Sequence, residues 1–108
     1  NQADWGDPIL FAKNAILGAT TFIQEYDRLA SEQFLNSTRT IVDQVFKFNS
    51  VRLPRDKQAE FEDEVLPAFN RLLGGELGVS GVKAENLSTL RGVAREQLEC
   101  LRSGRRRC

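Results

Sequence analysis

The sequence predicts an all-α fold, a single small bundle of about four helices with the third bent or split at Pro67. Three observations predict it. Apolar residues recur at steps of three and four in four separate stretches, residue pairs that start or stop helices bracket those stretches, and sustained apolar/polar alternation is missing. The 108 residues, 41% of them hydrophobic, suit one ordinary domain spanning 1–108. Only three prolines and no repeats leave no linker, and 28% charged residues of both signs argue against disorder.

Asp7-Pro8 reads as an N-cap followed by proline at the first helical position, where the missing amide proton costs nothing. Behind it Ile9, Ala12, Ile16, Ala19, Ile23, Tyr26 and Ala30 form one stripe, widened by Leu10, Leu17 and Phe22, so helix is expected to about residue 30. Gly18 lies inside that pattern and costs about 1 kcal/mol relative to alanine, which close packing of a neighbouring helix would explain. The next stretch, Thr38 to Phe46, has β-branched residues that a strand would also use. Spacing decides for helix, because Phe34, Leu35, Thr38, Ile41, Val42, Val45 and Phe46 follow the helical period while Ile41-Val42 and Val45-Phe46 break alternation. Asn49 to Pro54 is a break, since the residue before a proline is steered out of the α region.

Arg55 to Leu73 forms the third helix, with Asp56, Glu60 and Glu62 early in it and Phe61, Val65, Leu66, Phe69, Leu72 and Leu73 on its apolar face. Pro67 removes an internal hydrogen bond and clashes with the carbonyl four residues back, so a bend near Asp63 or a split follows. Gly74-Gly75 suits a left-handed cap. After a loop to Gly81, Leu87, Leu90, Val93, Ala94, Leu98 and Leu101 mark the fourth helix, ending at Ser103-Gly104.

Fifteen bases balance fifteen acids, so the total charge gives no general attraction to nucleic acid or anionic membrane. The distribution is uneven, with six acids against three bases over 54–82 and seven bases against three acids over 83–108. Eleven of the fifteen bases are arginine, which favours bidentate contacts at protein interfaces.

The chain contains no histidine, which removes the usual general base near neutral pH and the commonest metal ligand. Ser-His-Asp and Cys-His sites are therefore impossible, and catalytic, metal and cofactor residues are all expected to be absent. Gly74-Gly75-Glu76-Leu77-Gly78 follows a helix and lacks the Gly-Lys-Ser/Thr of a phosphate loop, so it is a turn. Glu60, Glu62, Asp63 and Glu64 lack the alternating ligands and glycine of a calcium loop, and a solvated helix face accounts for them. Trp5, ahead of the first N-cap, is expected to staple that helix to the bundle, with an exposed interface anchor as the alternative. Asn36-Ser37-Thr38 and Asn86-Leu87-Ser88 match the N-glycosylation triplet, which matters only in a secreted chain; each asparagine otherwise serves as a helix cap.

Cys100 and Cys108, the only cysteines, bracket a cationic segment whose Gly104 is free to adopt positive φ. They suit a disulfide that turns the chain back after its last helix, and hence an oxidising compartment; a reduced chain with two incidental thiols is the alternative. The chain begins at Asn1, has no Met and shows neither an apolar leader nor a membrane-spanning run. That is the expected appearance of a mature, secreted, extracellular protein with no membrane insertion.

The short acidic-aromatic start Asp4-Trp5-Gly6-Asp7-Pro8, the histidine-free helical body and the cysteine-closed basic end Cys100 to Cys108 together resemble the small salivary proteins of anopheline mosquitoes, the anophensin and albicin type. The resemblance is one of size, architecture and character over most of the chain, without a diagnostic motif. It implies a blood-feeding inhibitor, without catalysis, that binds host plasma proteins. The target it implies is chiefly the convertase of the alternative complement pathway, and interference with the kallikrein-kinin contact system is also associated with the group. Beside it, the basic last segment nominates Arg91, Arg95, Arg102, Arg105, Arg106 and Arg107 as partner-binding residues. The alternative function is a carrier of small hydrophobic ligands, with Phe22, Phe46, Phe61 and Phe69 lining an apolar cavity.

Overall fold

A computed structural model describes residues 7–49, 54–74 and 82–103, apart from the side chains of Phe46, Phe48 and Asn49. The described residues are almost entirely helical, and no strand is found among them. Helix α1 (Pro8–Glu25) begins as expected: Asp7 Oδ1 accepts hydrogen bonds from the amides of Ile9 and Leu10, both at 3.1 Å. Its stripe Ile9, Ala12, Ile16, Ala19 and Ile23 is fully buried.

The helix does not continue to residue 30. Tyr26 is extended (φ −118°, ψ 174°), and the chain reverses at Tyr26-Asp27 before α2 (Arg28–Asn49). The break is a second aspartate cap: Asp27 Oδ1 accepts from the amide of Ala30 at 2.9 Å, and its carbonyl accepts from the amide of Ser31 at 3.0 Å. In α2 the β-branched residues are helical, as their spacing predicts. Leu35, Thr38, Val42 and Val45 are buried, and the hydroxyls of Ser37, Thr38 and Thr40 donate to carbonyls four residues back. Phe34 of α2 is the neighbour that Gly18 faces, and a Cβ added there would lie 3.5 Å from its ring. Glycine is therefore not required at that crossing, since 3.5 Å is ordinary van der Waals contact.

The third rod is continuous but not uniform. α3 (Arg55–Glu60) passes into a π-helical turn, Phe61–Val65, and then into α4 (Leu66–Leu73), with right-handed helical dihedrals at every junction. The amide of Leu66 donates to the carbonyl of Phe61, five residues back. This wide turn is the form the expected bend takes, because Pro67 has no amide to give Asp63 and its ring needs the room. Phe61 and Val65 stay fully buried through it. Gly74 ends the rod at φ 60°, its amide donating to Asn70 at 3.0 Å.

Val82 is buried, a 3₁₀ turn covers Ala84–Asn86, and α5 spans Leu87–Ser103. Neighbouring rods alternate in direction. Thr38 reaches Ala15, Arg91 reaches Ile23, Lys13 meets Glu60 and Arg71 meets Glu96, which makes an up-down-up-down arrangement with α1 packed on every other rod. One core joins Ile16, Leu35, Phe61, Phe69, Val82 and Leu90. α5 holds an exception to the expected apolar face: Gln97 is buried, and its Oε1 has no hydrogen-bond partner among the described residues.

Candidate interaction surface

The arginines nominated from the last segment do not share one role. Arg91, in the second turn of α5, is half-buried and turned inward. Its Nε donates to the carbonyl of Ile23 at 3.1 Å and its guanidinium to the carbonyl of Tyr26 at 2.9 Å. Those carbonyls end α1 and have no amide to accept from, so Arg91 satisfies them and places a cation at the negative end of the helix. It is a clamp on the α1–α2 elbow. Arg95 and Arg102 are exposed, seven residues apart and so on one side of α5, but exposed Glu99 lies between them. Arg105, Arg106, Arg107 and Cys108 lie outside the described residues, as does Trp5. Cys100 is buried in α5 and is not a free thiol.

The elbow that Arg91 holds carries a surface that sequence reasoning missed. Phe22 stacks between Phe34 and Tyr26, with ring centroids 4.6 and 4.2 Å apart and planes inclined by 19° and 20°. Phe22 and Tyr26 are neighbours across one helical turn, and Phe34 is supplied by α2 as it packs back antiparallel to α1. The row begins half-buried against the core and ends on the outside at Tyr26, which is 51% exposed; Leu29, at the start of α2, is 56% exposed. Glu25, Asp27 and Arg28 rim it, all exposed. A rigid aromatic row with an exposed tyrosine and leucine, rimmed by charge, is the composition of a protein-contact anchor.

The acidic cluster on the third rod is structural. Lys13 Nζ lies 2.7 Å from Glu60 Oε1 and 3.0 Å from Glu64 Oε2, while Lys57 Nζ lies 3.3 Å from Glu60 Oε2. Burial works against the charge on Lys13, yet its hydrogen bonds to both carboxylates outweigh that, and its pKa rises above that of an ordinary lysine. Hydrogen bonding from Lys13 is also the main cause that lowers the Glu60 carboxyl, ahead of the burial that opposes it. The carboxylates thus fasten the third rod to α1, and no metal-binding group of His, Cys, Asp and Glu is found among the described residues.

Of the phenylalanines of the carrier reading, two share the core and one lies on the surface. Phe61 and Phe69 are buried in the core, Phe22 belongs to the surface row, and the side chain of Phe46 lies outside the described residues. No described helix is long and apolar enough to cross a membrane. No protein-family model, curated protein or solved structure matches this chain.

Proposed function

We propose that the protein is a secreted, non-enzymatic inhibitor that acts by binding a host plasma protein complex, with the convertase of the alternative complement pathway as target. The observation that carries the binding role is the elbow, where a stacked aromatic row ends in exposed Tyr26, with exposed Leu29 three residues further along the chain. Inhibition without catalysis needs such a rigid anchor, because contact residues already held in place lose little conformational freedom on binding. The choice of target comes from the resemblance to anopheline salivary proteins alone. In this reading Cys100 pairs with Cys108, and Arg102 with Arg105, Arg106 and Arg107 supplies a second, basic contact at the opposite end of α5 from the elbow, with Arg95 one turn from Arg91. Arg91 is withdrawn from the contact set, since its guanidinium is committed to α1.

The test is lysis of erythrocytes by the alternative pathway, run beside a binding measurement on the assembled convertase. The protein should block lysis, and Tyr26→Ala with Leu29→Ala should weaken binding about 100-fold if both are anchors, with the helical content unchanged. Reversing the charges of Arg102 and Arg105–Arg107 should slow association and reduce its salt dependence. Lysis that proceeds at full rate with the protein in excess would refute the target, and full affinity in the elbow double variant would refute the surface.

A further inference from the structure

The two Asn-x-Ser/Thr triplets sit in different surroundings. Asn86 is half-buried, closes the 3₁₀ turn with its amide on the carbonyl of Lys83 at 2.9 Å, and is followed by Leu87, which packs on the core. Asn36 is exposed at the middle of α2, among exposed Gln33, Ser37, Arg39 and Thr40. It caps no helix, and no hydrogen bond or ion pair is found for its side-chain amide among the described residues. Packing accounts for the third residue of its triplet, because the Thr38 hydroxyl is buried and donates to the carbonyl of Phe34 at 2.9 Å. Nothing in the fold uses the Asn36 amide.

We propose that Asn36 is the attachment site of an N-linked glycan, an inference that rests on the reading of the chain as secreted. In the transfer, Asn36 Nδ2 bonds to C1 of the first sugar of an oligosaccharide carried on a lipid pyrophosphate. The C1–O bond breaks with its electron pair leaving on the pyrophosphate, and the amide gives up one proton, with no change of oxidation state. The buried Thr38 hydroxyl, which completes the recognised triplet, is available only before α2 docks on α1. Synthesis order leaves the core that holds these two helices incomplete as Asn36 emerges, since Phe61, the first core residue of the third rod, lies 25 positions downstream. After folding, the sugar projects from the polar side of α2. At 3.6 residues per turn Asn36 lies about 200° around the helix from Phe34 and about 20° from Leu29, two turns away, so the glycan leaves the aromatic row open and stands on the same side of α2 as Leu29.

The experiment expresses the full chain behind a fused leader peptide in eukaryotic cells and maps the secreted protein by peptide mass before and after enzymatic deglycosylation. The Asn36 peptide should carry a glycan that is lost in both Asn36→Gln and Thr38→Val and kept in Asn86→Gln. Thr38→Val preserves the shape of the buried side chain, and Asn36→Gln is on the surface, so at least one variant remains folded. An unmodified Asn36 peptide, or one that keeps its glycan in Thr38→Val, overturns the assignment. Because the leader is supplied, that failure is separate from failure of the secreted reading, which free Cys100 thiol in protein from its natural source would bring about.

Discussion

Replacing Arg91 with methionine should destabilise the bundle far more than the same change at Arg95, four residues along the same helix. Methionine keeps most of the apolar stem, so the difference isolates the guanidinium. Two hydrogen bonds are lost, at 3.1 and 2.9 Å, from a cation to the last carbonyls of α1. A hydrogen bond involving a charged group contributes about 1.5–3 kcal/mol when well buried. The elbow is wet on its outer side, where Tyr26 is 51% exposed, and water can replace part of each bond. The pair with its helix-dipole term is then worth about 2 kcal/mol, which for a domain of this size lowers Tm by roughly 8–16 °C. Urea unfolding followed by circular dichroism at 222 nm measures it directly. Arg95→Met, at an exposed site, should stay within about 0.5 kcal/mol of the parent. If Arg91→Met also falls within about 0.5 kcal/mol, the clamp is not formed in solution, and Arg91 returns to the candidates for partner contact.

Gly92→Ala, on the exposed side of α5 with nothing within 4 Å of an added Cβ, should stabilise by about 1 kcal/mol; Gly18→Ala should gain slightly less because its Cβ meets the Phe34 ring at 3.5 Å, both read by urea unfolding. Gln97→Met, which removes a buried oxygen that has no partner among the described residues and keeps the side-chain length, should raise stability by about 1 kcal/mol in the same assay. The Lys13–Glu60 link should be pH-dependent in a defined direction. Glu60 titrates lower in the fold than out of it, so its contribution is complete above its unfolded pKa and is lost as pH falls through the folded one. Lys13 titrates higher, so its contribution fades only in alkali. Discounted for solvent screening, Glu60→Gln should cost about 0.5–1 kcal/mol at neutral pH, and parent and variant should converge in unfolding curves as the pH is taken down through the lowered Glu60 carboxyl.

The features legible in the sequence are those set by local chemistry. Asp7-Pro8 specifies a cap through one carboxylate and one absent amide, and the structure places both hydrogen bonds where that chemistry requires. Pro67 specifies a disturbed turn upstream of itself for the same kind of reason, and Gly74 a positive φ. Thr38 to Val45 shows periodicity prevailing over intrinsic β preference, as it should when one side of the segment is buried. Gln97 and Arg91 were not legible, because their roles depend on what α1 presents to α5. At helical spacing, Gln97 reads as an interruption of an apolar stripe and Arg91 as part of a basic face. Only the third dimension puts the end of α1 beside Arg91.

One misplacement hid both the second cap and the candidate surface. Tyr26 and Ala30 extend the α1 stripe at the correct spacing, so a helix drawn through them puts Tyr26 in the core and Asp27 on the solvated side. No glycine or proline lies between Gly18 and Ala30 to mark the stop. Asp27 nevertheless captures the Ala30 amide, and the helix stops at Glu25. Its arrest turns Tyr26 outward, aligns Phe34 of α2 with Phe22, and leaves Leu29 exposed at the new helix start. The anchor therefore exists because the first helix ends early. It follows that Asp27→Ala, which removes the cap without touching a ring, should weaken partner binding through the elbow geometry. Arg91→Met should do the same, and binding that stays at the parent level in both variants would separate the contact surface from the elbow altogether.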